Sequence, residues 1–528
     1  MKIKTKIILA LIGLAISSVS FAGIGNEANS WESKTLQLQN QIDLHSPMSK
    51  NNILGSHNTY NSAEYANDGY LRYIDPQQKH TIKEQLQLGA RFIELDLHWK
   101  FNWSNWRYHL LLCHGGFCSG NDRFFREGLQ EIKEWLQSPE SNDQVIILYI
   151  EDHATDKNSK MYEELMGYIG SYVYKSNGCQ AIPSTLTKAQ VLNAGAQVVV
   201  WKDGGCSSNN NMKNTAFSSL GSIDRVWEDR TVIGAIFDNA GDGLIDATDV
   251  KEFFKLGRNI VNLDDFTYDN RQTAAIWSWN TNEPNNSNNE DCAVMLNTGR
   301  WNDVSCSDNR TLPYACHQDG TENWNITISN TGNYSGGQAA CQNLGSDWHF
   351  KTPTNSKYNH AIRNAANDAG YDQVWLAISD AETEGKWSDP SNTFPVTSTT
   401  LIDKRAGLCM NVWGGNASNG ADIKLHSCSG AANERFTYHA DTGMFRSKLN
   451  ENYCIDVSGG NFSNGGNIQL WSCSTTNNNQ KFDIIGDTIR PRINHNLAID
   501  AYGTNQGDNV GLWTAHGGSN QSWIGVTQ

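Results

Sequence analysis

"RFIELDLHW" (residues 91–99) and "QVIILYIEDH" (residues 144–153) decide the reading of the first half of the chain. Both are apolar runs that end in charged residues, as strands of a buried sheet do. Between them "DRFFREGLQEIKEWLQ" (122–137) spaces Phe125, Leu129, Ile132 and Leu136 along one face of a helix. Farther on, "TKAQVLNAG" (187–195) reads as helix, and "AQVVVWKD" (196–203), "TVIGAIFDN" (231–239) and "NIVNLDDF" (259–266) read as strands. Buried strands alternating with helices predict a parallel sheet, and this many predict a closed α/β barrel of the TIM type. Reactive residues of such barrels lie at the C-terminal ends of strands, where the polar endings "ELDLHW", "IEDH", "WKD" and "LDDF" fall.

The ends of the chain set the context. Lys2, Lys4 and Lys6 precede an apolar run from Ile7 to Val19 and then Ser20-Phe21-Ala22, the layout of a secretory signal peptide cut near Ala22. Export and solubility are therefore expected, and twelve cysteines suit an oxidising compartment. A formal charge of −15 argues against nucleic acid as a partner and against adhesion to anionic lipid by bulk charge. The length of 528 residues implies several domains. After about Thr273 the texture turns to Trp, Asn and Cys, and from about residue 398 it repeats. "LCMNVWGG", "YCIDVSGG" and "LAIDAYGT" open three units that "NERFTY", "NQKFDI" and "NQSWIG" close; a threefold repeat of this size predicts an all-β trefoil. The divisions expected are 1–22 leader, 23–272 barrel, 273–396 a middle α+β domain and 397–528 trefoil.

Cleavage of a phosphodiester needs charge stabilisation at phosphoryl oxygens, a base for the nucleophile and an acid for the leaving alkoxide. Strand ends offer His57-Asn58, Glu94 with Asp96, His114 and Glu151. Glu94 and Asp96 are two apart on a strand and point to one side. Three carboxylates and one amide oxygen suit a hard cation such as Ca2+ rather than zinc.

"GSHNTY" (55–60), "GARFIELD" (89–96), "LLCHGG" (111–116) and "VIILYIEDH" (145–153) resemble, in order, the catalytic X region of calcium-dependent phosphoinositide-specific phospholipases C. The resemblance implies Asn58, Glu94, Asp96 and Glu151 as Ca2+ ligands, His57 as stabiliser of the phosphorane and His114 as general acid; because calcium is a weaker acid than zinc, a carboxylate base such as Glu94 is still needed. The resemblance also implies attack by the inositol 2-hydroxyl on its own phosphate, giving a cyclic product first. Metal-independent bacterial relatives carry arginine where this chain has Asp96. Lys202 falls where that family places a headgroup-contacting lysine, whereas Arg91 reads as a structural ion-pair partner. Residues that select polyphosphorylated lipids have no match, which favours phosphatidylinositol or a glycosylated form of it. Cys113 departs from the family's motif and, paired with Cys118, would brace His114; Cys179 and Cys206 are the other candidate pair in this region. "DNAGDGLIDATD" mimics a calcium loop through Asp238, Asp242, Gly243 and Asp249, but Ala240 stands where an oxygen donor belongs, so an ordinary barrel loop is expected.

"WSWNTNEPNNSNNEDCAVMLNTGRWNDVSC" (277–306) with "YAC" (314–316) resembles the second half of a C-type lectin domain, and "YSGGQAACQNLGSDW" (334–348) with "VWLAISDAETEGKW" (374–387) resembles its first half. The order is swapped, so one circularly permuted domain is expected. The resemblance implies disulfides Cys292–Cys306 and Cys316–Cys341. It also implies a Ca2+ held by Glu283, Asn285, Glu290, Asn302 and Asp303, completed by a mannose-like sugar. The three repeats resemble ricin-type lectins. The second unit carries the sugar-binding set Asp456, Gln469, Trp471, Asn479 and Gln480. The third carries Asp500, Trp513, Asn520 and Gln521, with Gly511 in the glutamine's place. The first has Asn411 and His426 instead and is expected to be silent. The whole implies a secreted phosphodiesterase brought to mannose- or galactose-bearing cell surfaces, with peripheral membrane contact. The competing readings are an adhesin or toxin-like lectin on an inert barrel, and a phosphodiesterase of soluble sugar phosphates.

Overall fold

The computed structural model describes residues 24–524 apart from 67–72, 74–75, 104, 115–117, 119, 155, 177, 207–208, 229–243, 382, 390–398, 440–441, 475 and 486–487. The leader, the strand expected at 231–239 and positions 238, 242 and 243 of the loop lie outside the described residues. The chain opens with α1 (Trp31–Ile42) and the first strand, β1 (Ile53–Ser56). Helix α2 (Ile82–Gln87), with its Thr81–Glu84 capping box, leads into β2 (Phe92–Asn102) and β3 (Arg107–Leu112). Helix α3 (Phe125–Leu136), β4 (Ile146–His153), α4 (Asn158–Ile169), α5 (Lys188–Asn193), β5 (Val198–Lys202), β6 (Arg225–Trp227) and β7 (Ile260–Leu263) follow.

Six strands pair in parallel in the order β5-β4-β2-β1-β7-β6, and β3 runs antiparallel along the distal half of β2. The closed eight-stranded cylinder expected from the segment count is thus seen as a six-strand parallel arc, a half-barrel. Its edge strands β5 and β6 do not pair with each other among the described residues. Helix α3 buries Phe125, Leu129, Ile132 and Leu136, together with Trp135. Each such side chain contributes about 1.5–3 kcal/mol when removed from water, enough to hold the crossover on the sheet. Helix α5 occupies the segment read as helix at 187–195.

The second unit contains β8 (Cys292–Leu296), β9 (Trp301–Val304), β10 (Ala315–Gln318), β11 (Trp324–Ile326), β12 (Trp348–Phe350) and β13 (Gln373–Ser379). Strand β13, from the later half, pairs with β8, from the earlier half, so the two swapped segments build one sheet, β13-β8-β9. Helix α1 is shared between units. Its Ile42 sits in the core formed by Trp277, Trp279 and Trp301, Gln39 accepts from Trp277 N at 2.7 Å, and Trp31 Nε1 donates to Glu283 O at 2.7 Å. The expected boundary at 272 therefore does not separate independent cores: an N-terminal helix assigned to the barrel completes the second unit. The trefoil-like region repeats a strand pair three times: Cys409–Val412 with Ala421–His426, Asn450–Val457 with Ile468–Ser472, and Leu497–Ala501 with Val510–Thr514. One shared apolar core joins them. All twelve cysteines are paired, as Cys113–Cys118, Cys179–Cys206, Cys292–Cys306, Cys316–Cys341, Cys409–Cys428 and Cys454–Cys473.

Candidate functional site

Strand alternation puts Glu94 and Asp96 on one side of β2, and the β2–β4 register sets Asp96 opposite Glu151. Oxygens of Glu94, Asp96 and Glu151 lie within 4.8 Å of one another, with Glu94 and Asp96 buried. Burial, and then the charges of Glu151 and Glu94, push the Asp96 carboxyl well above the usual carboxylate range. Tyr60 OH donates to Asp96 Oδ2 at 2.9 Å. Asn58 has φ +44°, a left-handed conformation that L-residues adopt at a cost. One end of its amide stands 3.0 and 3.1 Å from the Asp96 oxygens, and the other faces Gln77 Oε1 at 2.7 Å. With NH2 turned to Asp96 the amide donates to it; with the carbonyl turned there, four oxygens converge. Three crowded carboxylates and an amide oxygen form an all-oxygen donor set that fits a hard divalent cation.

His57 stands beside this set without joining it. Its Nδ1 lies 2.9 Å from Asp264 Oδ1, and Gln78 donates to the carbonyls of His57 and Leu263, tying the ends of β1 and β7 together. Burial pulls the imidazole pKa down, but Glu94 and Asp264 outweigh it and lift it to about 9. An imidazolium results at neutral pH, donating Nδ1–H to Asp264 and leaving its other N–H toward the site. Arg271 Nη1 braces Glu228 at 3.2 Å, and Glu228 accepts from Asp264 N at 3.1 Å.

A second cation enters from β6. Arg225 Nη1 reaches Glu94 Oε1 at 3.2 Å, while Asn262 Nδ2 donates to Glu94 Oε2 at 2.6 Å. The guanidinium lies 4.9–5.6 Å from the ring centres of Trp227, Tyr149, Phe92 and Trp201, which belong to four different strands. Ring faces attract a cation and restrict its rotation, so Arg225 is held facing the carboxylates. Sequence reading missed Arg225, Asp264, Asn262 and Tyr60; the "LDDF" ending was the one signal pointing to Asp264.

His114 is exposed at the rim, close enough that its charge helps depress Glu151, whose main lowering partner is His153 at 2.8 Å from Oε1. Its chain neighbour Cys113 is bonded to Cys118. His98, Cys113 and Cys118 also converge, but both sulfurs are in the disulfide and offer no thiolate. Lys202 differs from its expected role. Its Nζ is buried and bonded to Asp152 Oδ2 (2.7 Å), Asp203 O (2.9 Å) and Gly205 O (2.7 Å), so its three N–H groups are occupied within the protein. Arg91 is structural, as expected, but through neutral partners: Gln144 Oε1, the carbonyls of Leu86 and Ala90, and the Trp135 ring.

In the second unit Glu283 is raised to about 8, by burial first and then by its contact with Asp303. Asn285 Nδ2 donates to Glu283 Oε2 at 2.7 Å, and Asp303 accepts from Asn286 N at 2.6 Å. Asn302 donates to the Asp303 carbonyl at 2.8 Å. Glu290 is not gathered with them: it acts on this cluster through charge, and Glu283, Glu290 and Asp303 do not form a triad as tight as the barrel's.

In the trefoil region Trp471 and Trp513 present rings 40% and 44% exposed beside the buried Asp456 and Asp500. Gln469 donates to Asp456 at 3.1 Å, and Asn520 donates to both Asp500 oxygens at 2.9 and 2.8 Å. Two expectations change. Asn477, rather than Asn479, reaches Asp456, at 3.2 Å. Gln480 and Gln521 are fully buried and hold loop backbone, donating to Ser472 O and Thr514 O, so they support the sites from behind. The first unit exchanges its acid and amide: Asn411 replaces the aspartate while Glu434 replaces the closing glutamine, and the two meet at 3.3 Å.

Comparison with known proteins places three matches along the chain. Residues 12–219 match the family described as the Rv2075c PI-PLC-like domain, 249–318 the C-type lectin domain and 397–523 the ricin-type beta-trefoil lectin domain. The C-type match takes in the Glu283 half and ends before the swapped segment. The chain is 25% identical over 394 residues to the uncharacterized protein Rv2075c of Mycobacterium tuberculosis, covering 65% of this chain and 78% of that one. A stretch of 30 residues is 57% identical to a mannose-binding protein of Gallus gallus, covering 6% of this chain and 12% of that protein. Among solved structures, the earthworm R-type lectin C-half in complex with GalNAc is 23% identical, covering 24% of this chain and 93% of that one, with a TM-score of 0.21. The chain thus joins a PI-PLC-like domain to C-type and ricin-type lectin domains, at the positions read from its motifs.

Proposed function

We propose that this chain is a secreted, calcium-dependent phosphodiesterase of the phosphatidylinositol-specific phospholipase C kind, held on glycosylated surfaces by its lectin modules. The observation that carries the reading is one cluster: three crowded carboxylates with Asn58, flanked by the His57–Asp264 pair and by Arg225. Asn58, Glu94, Asp96 and Glu151 are the groups that would hold Ca2+. Bound there, the cation supplies positive charge that lowers the pKa of a nearby hydroxyl and neutralises phosphoryl oxygens.

The protein's own groups divide the rest of the work. The imidazolium of His57, fixed by Asp264, donates to a phosphoryl oxygen as charge builds on the phosphorane. Arg225 faces the same space and offers a second donor. One such preorganised donor is worth about 2.7–4 kcal/mol of transition-state stabilisation. Glu94, its two oxygens aligned by Arg225 and Asn262, accepts the proton of the inositol 2-hydroxyl as that oxygen bonds to phosphorus. The bond from phosphorus to the glycerol oxygen breaks, and His114 gives its proton to the departing alkoxide. The product is a cyclic inositol phosphate, favoured because the 2-hydroxyl is already held next to its target. With Lys202 occupied by Asp152, no lysine from β5 is available for an extra headgroup phosphate, which supports phosphatidylinositol or a glycosylated derivative as substrate. The exposed Trp471 and Trp513 rings beside aspartates support galactose-like sugars at the trefoil, and the Glu283 loop supports mannose-like sugars.

The test is release of inositol phosphate from phosphatidylinositol, with and without chelator, by the wild type, His57→Ala and His114→Ala. Calcium-dependent release that falls at least about 10²-fold in both variants is expected. Glycan binding with no release would favour the lectin reading, and turnover confined to water-soluble sugar phosphodiesters would favour a non-lipid enzyme.

A further inference from the structure

Beyond the carboxylates, β2 continues past Leu97 and returns as β3, so the two strands form a hairpin projecting from the C-terminal end of the sheet. It carries Trp103, Trp106 and Tyr108 at 64%, 74% and 56% exposure, above every other exposed aromatic ring among the described residues. The rings are not loose. Phe101 meets Trp103 at 5.0 Å and 80°, Trp106 at 6.0 Å and 83°, and Tyr108 at 5.3 Å and 68°. Asn102 bonds the carbonyl of Gly120, and a Cβ on Gly120 would stand 2.9 Å from the Trp103 ring, so the glycine makes room for it. Exposing this much aromatic surface to water is unfavourable unless something covers it.

We propose that this hairpin is a membrane-docking element that seats its aromatic knob in the headgroup region of a bilayer, bringing the mouth of the sheet to a lipid substrate. Three features select a bilayer. Tryptophan and tyrosine, with apolar bodies and polar N–H or O–H tips, are the side chains that concentrate at the membrane–water boundary. Basic groups surround the knob: Lys100 and Arg107 lie on the hairpin, Arg126 covers Phe124 at 4.0 Å, and Lys157 lies 5.3 Å over Trp99. In a chain with 56 acidic residues, none falls between Leu97 and Asn121. The local charge thus opposes the −15 of the whole, as attraction to anionic headgroups requires. A glycan is the other common occupant of exposed tryptophans. It needs a flat ring face, and here Trp103 and Trp106 cross at 80°, giving a wedge instead of a platform. Location completes the case: His114 follows β3 directly, so docking the hairpin sets the rim against the membrane.

The inference deepens the lipid-phosphodiesterase reading and rests on it for its purpose, but its test does not require turnover. The full chain is sedimented in chelator with phosphatidylcholine vesicles and with vesicles containing a fifth phosphatidylinositol, alongside Trp103→Ala/Trp106→Ala, Trp106→Ala alone and Trp413→Ala. Wild type and Trp413→Ala are expected to partition alike, the double variant at least about tenfold less, and the single variant in between. Brominated acyl chains should quench tryptophan emission in the wild type and not in the double variant. Equal partitioning of all four proteins, or none by the wild type, overturns the proposal. So does a double variant that keeps vesicle binding while losing retention on immobilised polysaccharide. Vesicle binding without inositol phosphate release leaves the docking element standing and rejects the catalytic reading instead.

Discussion

Replacing Asp96 with Asn should reverse its effect on stability according to whether Ca2+ is present. Oxygens of Glu94, Asp96 and Glu151 lie within 4.8 Å of each other. Two unit charges at that separation repel by about 3.5 kcal/mol at an effective dielectric constant of about 20. Asp96 bears two such neighbours, so part of this cost is avoided by protonation in the metal-free protein. The direction of its pKa says the same. Asn at 96 removes the charge, keeps an oxygen for Tyr60 OH and offers NH2 toward Asn58. In chelator, Asp96→Asn should therefore be as stable as the wild type or more so. With Ca2+ at about one hundred times its dissociation constant, the wild type should gain about 2.7 kcal/mol from a proposed site that exists only in the folded state. For a unit of this size, that raises the midpoint of the barrel transition by about 5–10 °C. Asp96→Asn should lose most of the rise. The assay is thermal unfolding by circular dichroism in EDTA and in Ca2+, on a Glu283→Gln background that silences the cluster in the second unit. An equal Ca2+ shift with and without Asp96, or an Asp96→Asn protein several kcal/mol weaker in chelator, would refute the reasoning. The second outcome would mean that the carboxylate is already satisfied without a cation.

Other outcomes follow from the same geometry. Arg225→Gln should lower kcat by about 10²–10³-fold with folding unchanged, because one oriented donor to the phosphoryl group is lost; steady-state kinetics on phosphatidylinositol reads this. Lys202→Met should cost up to about 3–5 kcal/mol by leaving the Asp152 carboxylate, its side chain 9% exposed, without its partner, and Asp152→Leu in the same chain should recover much of it; chemical denaturation measures both. Glu322, hydrogen-bonded by Lys357 and by Lys50, is held at about 2. A depressed carboxyl stabilises the fold above its unfolded value of about 4.3 and loses that contribution as pH falls toward 2. Half-exposed, it is worth below about 1 kcal/mol, so Glu322→Gln should differ from the wild type slightly above pH 5, and the difference should shrink as pH falls through 2; urea midpoints across that range check the sign. Trp471→Ala and Trp513→Ala should each weaken retention on galactose-bearing matrix, and the double variant should abolish it, by loss of the ring platform at both sites.

Local periodicity made much of this molecule legible. A spacing of two residues places Glu94 and Asp96 on one face of β2, and the helical spacing of Phe125, Leu129, Ile132 and Leu136 marks the buried face of α3. Three recurrences of one motif announced the trefoil, because a unit that cannot bury its own core has to be repeated. These properties are set within ten or so residues, or by copies of the same residues, and a one-dimensional pattern carries them in full. Tertiary structure alone decided which groups meet across long separations. Asp264 reaches His57 across 207 residues, and Arg225 reaches Glu94 across 131. Nothing local marks Arg225, two residues before Trp227, and the "LDDF" ending marks Asp264 only weakly, because an aspartate after an apolar run is common. Lys202 sits at the expected strand end, yet turns to Asp152 on the neighbouring strand, since burial in the sheet made a paired charge the only stable arrangement. Helix α1 spans both units for the same kind of reason: Leu36 is buried in the half-barrel core, Ile42 in the core of the second unit, and Trp31 packs against both. The strands were determined by the order of residues along the chain; the partners of each charge were determined by the space left once the strands had packed.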